Sequence, residues 1–247
     1  MSVLRRSLTG MDVILIPGLW LDASSWDDVV PTLRAAGLTP RALTMPGVGA
    51  AASSSAEIGI ADWVDAVVAE IDATDGRVVV VGHSGGGNVA WGAADSRPEK
   101  VARVVLVDTA VPYDGGIISE FDTIDGVVPF PGWDFFDADD VADLDEATRA
   151  RTAPSTLSVP ARVPTDPIAL RDEGRYAVPV TVLSGSLDEA DFRAFVTQWG
   201  RYADEFEAIE NTEIIRLGTG HWPQFSQPEH LGTQIVAAVT REPAPGR

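Results

Sequence analysis

Residues 78–87 read Val-Val-Val-Val-Gly-His-Ser-Gly-Gly-Gly, four β-branched residues running straight into a glycine-flanked serine at position 84. An unbroken apolar run of this kind marks a strand buried on both faces of a sheet. Gly82-His83-Ser84-Gly85-Gly86 fits Gly-x-Ser-x-Gly, and its place between a buried strand and a helix over about 86–96 gives the pattern its meaning. A sharp strand-to-helix turn holds the serine in a strained conformation and exposes its hydroxyl. The helix N-terminus adds free amides that favour developing negative charge. Gly82, Gly85, Gly86 and Gly87 do not supply the Gly-x-Gly-x-x-Gly spacing of a dinucleotide-binding turn. Ser84 is the candidate nucleophile.

Working outward from this turn, strand and helix patterns alternate for most of the 247 residues. Strands are expected at 12–16, 39–45, 78–81, 101–107, 180–183 and 213–217. Helices are expected from Ser24/Ser25 to about 36, then over 60–73, 86–96, 190–202 and 229–239. Alternation of this kind predicts one α/β domain spanning 1–247, with a mostly parallel sheet covered on both faces. The rhythm breaks at 113–177. Between Tyr113 and Ala147 there are 11 acidic residues and no basic one. A connection this long inside a compact domain reads as an inserted lid. Residues 1–10 read as a loose extension ahead of the first strand, and the closing Pro-Ala-Pro-Gly-Arg as a frayed tail.

Composition narrows the function classes. Apolar residues make up 45% and charged residues 22%, the profile of a soluble globular protein. The absence of cysteine removes disulfides, thiolate metal sites and a cysteine nucleophile. A formal charge of −19 repels nucleic-acid phosphates and anionic headgroups, so neither nucleic acid nor membrane is an expected partner. Arg5-Arg6 lacks the apolar run of a secretory signal, and no segment reaches the roughly 20 apolar residues of a membrane span. A cytoplasmic location is the default expectation.

A serine hydroxyl needs a base to take its proton. Of three histidines, His83 adjoins the nucleophile and is directed elsewhere, and His230 falls in the last helix. His221, in the Gly220-His-Trp-Pro loop after the last strand, is the candidate base, because parallel sheets place their sites at the carboxyl ends of strands. A carboxylate should then fix the imidazole. Two aspartates end strands between the serine and the histidine. Asp188, in Gly185-Ser-Leu-Asp, is preferred, and Asp108, in Val107-Asp-Thr-Ala, is the alternative, with Asp191 third. For the oxyanion, the Gly85 and Leu19 backbone N–H groups are the expected donors. Trp20 and Trp222 are expected as apolar walls of the pocket, or else as core residues under the loops.

These residues resemble the α/β-hydrolase superfamily across essentially the whole chain. Within it they are most similar to compact esterases and hydroxynitrile lyases of the plant methylesterase type and their bacterial relatives. The likeness rests on Pro17-Gly18-Leu19-Trp20 with Trp26 beyond, Gly82-His83-Ser84-Gly85-Gly86, Gly185-Ser-Leu-Asp188 and Gly220-His221-Trp-Pro. It implies a trimmed sheet of about six strands, beginning at the family's third. Relatives usually carry His-Gly where this chain has Pro17-Gly18. The backbone donor survives that change, whereas a substrate-binding side chain does not.

The expected activity is acyl transfer from a neutral, mostly apolar ester or lactone to water, with a small-molecule substrate as partner and no metal or other cofactor. The same scaffold and serine triad also serve C–C bond hydrolysis, cyanohydrin cleavage and perhydrolysis. A non-catalytic ligand-binding protein is the reading from another class.

Overall fold

The computed structural model describes residues 10–241. The amino-terminal extension before Gly10, with Arg5-Arg6, and the tail at 243–247 lie outside the described residues. Among the described residues eight strands form: β1 (Asp12–Ile16), β2 (Thr39–Ala42), β3 (Val78–His83), β4 (Val101–Val107), β5 (Val127–Val128), β6 (Val159–Pro160), β7 (Val180–Ser184) and β8 (Thr212–Arg216). The helices are α1 (Val30–Ala35), α2 (Ala52–Ser55), α3 (Ile60–Asp72), α4 (Gly85–Ser96), α5 (Glu146–Thr152), α6 (Glu189–Val196), α7 (Arg201–Ala208), α8 (Pro223–Ser226) and α9 (Pro228–Thr240).

Six strands make one sheet in the order β2-β1-β3-β4-β7-β8, and every pairing is parallel. The expected α/β-hydrolase sheet of about six strands is therefore present. Its two faces follow the period-2 alternation of side chains. Ile14, Val80, Leu106 and Val182 pack on one side with Trp63 and Val67 of α3 and Trp91 of α4. Val13, Leu15, Val81, Val105 and Leu183 pack on the other with Leu33 of α1 and Leu231 and Ile235 of α9. All six residues of β3 are buried, as its valine run requires.

The strand order reverses between β1 and β3. The crevice at their carboxyl ends is where open α/β sheets bind ligands. Two departures from the expected helices have local causes. The first helix starts late, because Asp22 caps a short 3-10 turn, Ala23–Trp26, and α1 begins only at Val30 with Pro31 in its first turn. The helix expected over 190–202 is two helices, divided at Gly200, whose φ of 54° is off the helical path.

The 113–177 segment contains the two-residue antiparallel pair β5–β6, several 3-10 turns and α5. Val141 and Leu144 of this segment pack with Leu21, Trp222 and Phe225 in a small separate cluster. Among the described residues, no helix is long and apolar enough to cross a membrane.

Candidate active site

Ser84 stands between β3 and α4 with φ 50° and ψ −127°, a conformation rare for any residue with a side chain. Its N–H donates to Val107 O at 3.0 Å, which ties the turn to β4. A Cβ on Gly86 would lie 2.4 Å from Pro17 O, so the helix can start this close to the β1 loop only with glycine there. Among the described residues, four that are not glycine have positive φ. Three of them, Trp20 (66°), Ser84 (50°) and Asp108 (47°), line one cavity. Backbone strain concentrated in this way is typical of a functional site.

His221 follows β8 and lines the same cavity. Its Nδ1 lies 2.6 Å from Asp108 Oδ2. The other carboxylate oxygen, Oδ1, accepts the Gly185 N–H at 2.7 Å. Gly185 O in turn accepts the N–H groups of Gly218 and Thr219, so one residue braces both the carboxylate and the histidine loop. Burial works to raise the Asp108 carboxyl pKa, but the His221 and Gly185 hydrogen bonds outweigh it and hold the group below its usual value. The carboxylate is ionised at neutral pH.

The sequence preference for Asp188 is corrected here. Asp188 is the N-cap of α6, where its side chain accepts the Asp191 N–H at 3.0 Å, and Asp191 lies in the first turn of that helix. An Asp at an N-cap satisfies one of the helix's free donors, and this local use competes with any role across the sheet. The alternative, Asp108, is the carboxylate that meets the imidazole.

Leu19 and Gly85 also line the cavity, and a Cβ on Gly85 would lie 3.0 Å from Leu19 Cγ, so the two residues adjoin. Gly85 is the first residue of α4, where backbone N–H groups have no intrahelical acceptor. Trp20 and Trp222 are both buried and both line the cavity. Trp20 meets Phe121, Phe130 and Phe136 edge-on, and Trp222 meets Trp133, Phe136 and His221 in the same manner. The two readings weighed for them, pocket wall and core, describe one and the same position.

Other residues of the site carried no sequence signal. His83 is fully buried, with Nε2 2.7 Å from His221 O and Nδ1 3.1 Å from Gln224 Nε2. The first contact makes Nε2 the protonated nitrogen, donating to the carbonyl, and leaves Nδ1 to accept from Gln224. Burial, reinforced by the neighbouring His221, lowers the His83 pKa to about 3. It is a neutral brace beneath the His221 backbone. Asp140 O accepts the His221 N–H at 2.8 Å, and Asp143 Oδ2 accepts the Gly220 N–H at 2.9 Å. The acidic run in the insertion was visible in the sequence, but not its contact with a loop some 80 residues away. Ile118, Ser119, Phe121 and Phe136 bring the same insertion to the cavity wall.

The model of the alpha/beta hydrolase family matches residues 13–231. The chain belongs to that family. The chain is 40% identical over 107 residues to esterase PIR7B of Oryza sativa subsp. japonica, a match covering 41% of this chain and 40% of the relative. It is 48% identical over 59 residues to lipase LipV of Mycobacterium tuberculosis, covering 24% and 22%. These matches span less than half the length of either relative. Among solved structures it resembles an extracellular alpha/beta-hydrolase from a Paenibacillus species, with TM-score 0.71 and 21% identity over 92% of this chain and 98% of that one. A methylesterase from Arabidopsis gives TM-score 0.71 at 16% identity, covering 93% and 99%. The resemblance thus holds to esterases in sequence and to a plant methylesterase in fold.

Proposed function

We propose that this α/β hydrolase cleaves neutral, mostly apolar carboxylic esters or lactones through a serine acyl-enzyme. The observation that carries the reading is the Asp108–His221 pair, which shares one cavity with a serine in a strained strand-to-helix turn. With Nδ1–H held by the Asp108 carboxylate, His221 keeps Nε2 as its basic nitrogen. His221 takes the Ser84 proton as Oγ attacks the ester carbonyl, and Asp108 stabilises the imidazolium. The Leu19 and Gly85 N–H groups receive the oxyanion. Collapse of the tetrahedral intermediate expels the alcohol, which takes the proton from His221. Water, deprotonated by the same imidazole, then releases the acid and restores Ser84.

The preference for neutral substrates rests on the lining. No Lys or Arg is among the described residues around the cavity, while Asp108 is, and the chain carries −19 overall. A carboxylate-bearing ester would enter without a counter-charge. The names of the sequence relatives, a lipase and several esterases, agree with ester hydrolysis. The insertion over 113–177 serves in this reading as a lid that walls off the acyl site.

The test is labelling with a serine-directed fluorophosphonate together with hydrolysis of short p-nitrophenyl esters. Wild type should be labelled and active, and Ser84→Ala should lose both. Equal labelling of the two proteins would sink the assignment of Ser84. A preference for carboxylate-bearing esters would overturn the substrate class.

A further inference from the structure

The loop after β7 does not deliver an acid to His221, and the space beside it is open. With Asp188 turned onto α6, Ser184, Ser186 and Leu187 border a second cavity of about 320 Å³. Its facing wall is Phe192, Phe195 and Val196 of α6, with Trp199 beyond. Asp108, Thr109, Ala110 and Trp199 line both this cleft and the active-site cavity, so the two adjoin along that edge. The active-site cavity itself is about 260 Å³.

Size and chemistry limit what fits. An apolar space of about 150 Å³ suffices for benzene. Each cavity therefore holds at least one ring-sized group, and the pair falls within the roughly 300–1,000 Å³ range of small-molecule sites. Neither lining contains Lys or Arg. At the rim, the rings of Phe195 and Trp199 lie tilted at 59° with centroids 4.3 Å apart and remain 43% and 44% exposed. Among the described residues only Ile124 and Phe135 are other large apolar side chains left so exposed. Two adjacent aromatic rings held in water beside an apolar cleft are a surface that an apolar ligand covers favourably.

We infer that this cleft is a second substrate subsite, seating an uncharged apolar arm, aromatic or branched aliphatic, of the ester whose carbonyl reacts at Ser84. The inference rests on the esterase reading and sharpens it. The substrate has two arms, a smaller one in the cavity at Ser84 and a bulkier one that passes the Asp108–Ala110 edge under Trp199. The arm is held by ring contact and apolar burial, because nothing cationic faces it.

Two ester series separate the acyl from the alcohol side: phenylacetyl against acetyl esters of p-nitrophenol, and benzyl against methyl esters of one short acid. In wild type, one series should show kcat/KM at least about tenfold higher for the ring-bearing member, the scale on which apolar pockets discriminate. Leu187→Trp, which fills the cleft, and Phe195→Ser, on its exposed rim, should each erase most of that ratio, mainly through KM. A ratio unchanged in both variants would remove the cleft from substrate binding. The second readout does not require turnover. Binding of 4-fluorobenzyl alcohol to Ser84→Ala is followed by fluorine NMR, with and without Leu187→Trp. Binding lost in the double variant, with no hydrolysis in any series, would support the cleft while sinking the esterase reading. No binding to Ser84→Ala, or binding indifferent to Leu187→Trp, would overturn the inference.

Discussion

Asp108 Oδ2 sits 2.6 Å from His221 Nδ1, at the end of the strand next to the one that leads into Ser84, and Asp108 holds φ 47° in that position. Non-glycine residues reach positive φ at a cost, and here the Gly185 N–H, the imidazole and the backbone bond from Asp108 N–H to Leu183 O hold the residue in place. The pair is braced from three strands. β4 supplies the carboxylate, β7 the glycine that orients it, and β8 the loop that carries the imidazole.

Asp108 and Asp188 should therefore separate cleanly under mutation. Asp108→Asn keeps the shape but loses the charge and the tautomer control, and kcat for ester hydrolysis should fall roughly ten-thousandfold. Asp188→Ala should leave kcat near wild type and lower stability by about 1 kcal/mol through the lost N-cap. Steady-state kinetics and urea melts of both variants decide the matter, and the opposite pattern would restore Asp188 as the acid.

His83 should make the fold sensitive to acid. Its pKa is about 3 in the folded chain, against an ordinary 6.5. Below 6.5 the unfolded chain binds a proton that the folded one refuses. The stabilisation from a neutral His83 is thus complete above pH 6.5 and drains away as pH falls toward 3. The slope is up to about 1.4 kcal/mol per pH unit. Replacing it by Leu in His83→Leu should lower stability at pH 7 by about 1–3 kcal/mol, because the His221 carbonyl loses its donor. It should also flatten the stability profile between pH 4 and 6. Denaturant midpoints across that range provide the measurement, and parallel profiles for the two proteins would contradict the assignment.

The hold of the insertion on the histidine loop is also testable. Asp143→Ala leaves the Gly220 N–H without its acceptor, at a cost of about 1–3 kcal/mol. Hydrogen exchange should quicken at residues 218–222, and kcat should fall more than KM rises. Unchanged exchange in that loop would mean that the Asp140 contact to His221 N–H is sufficient by itself.

A buried ionic cluster offers a test far from the chemistry. Arg175 donates to Glu205 and Asp95, both buried, and Glu205 also accepts from Trp91 Nε1 and Tyr176. Arg175→Met leaves two buried carboxylates without their counter-charge and should destabilise by about 3–5 kcal/mol. A thermal melt suffices, and a loss below about 1 kcal/mol would show that the cluster relaxes or takes up water.

The sheet and the strained turn at Ser84 were legible in the chain because their signals are local. The valines of 78–81 must be buried on both faces, and the glycines around Ser84 admit a turn too tight for other residues. His221 followed from the scarcity of histidine and its place after the last strand. The lone Pro17-Gly18-Leu19-Trp20 loop fell where β1 ends. What the sequence could not decide was which of two strand-end aspartates faces the imidazole. Asp188 and Asp108 have the same local credentials. The choice rests on Asp188 capping its own helix and on the neighbouring strand order, which sets Asp108 beside a loop 113 residues later. The brace beneath His221, from His83, Gln224, Asp140 and Asp143, and the cleft under Trp199 belong to the same class. Each is a meeting of segments distant in sequence, and such meetings are set by packing across the sheet rather than by any periodicity along the chain.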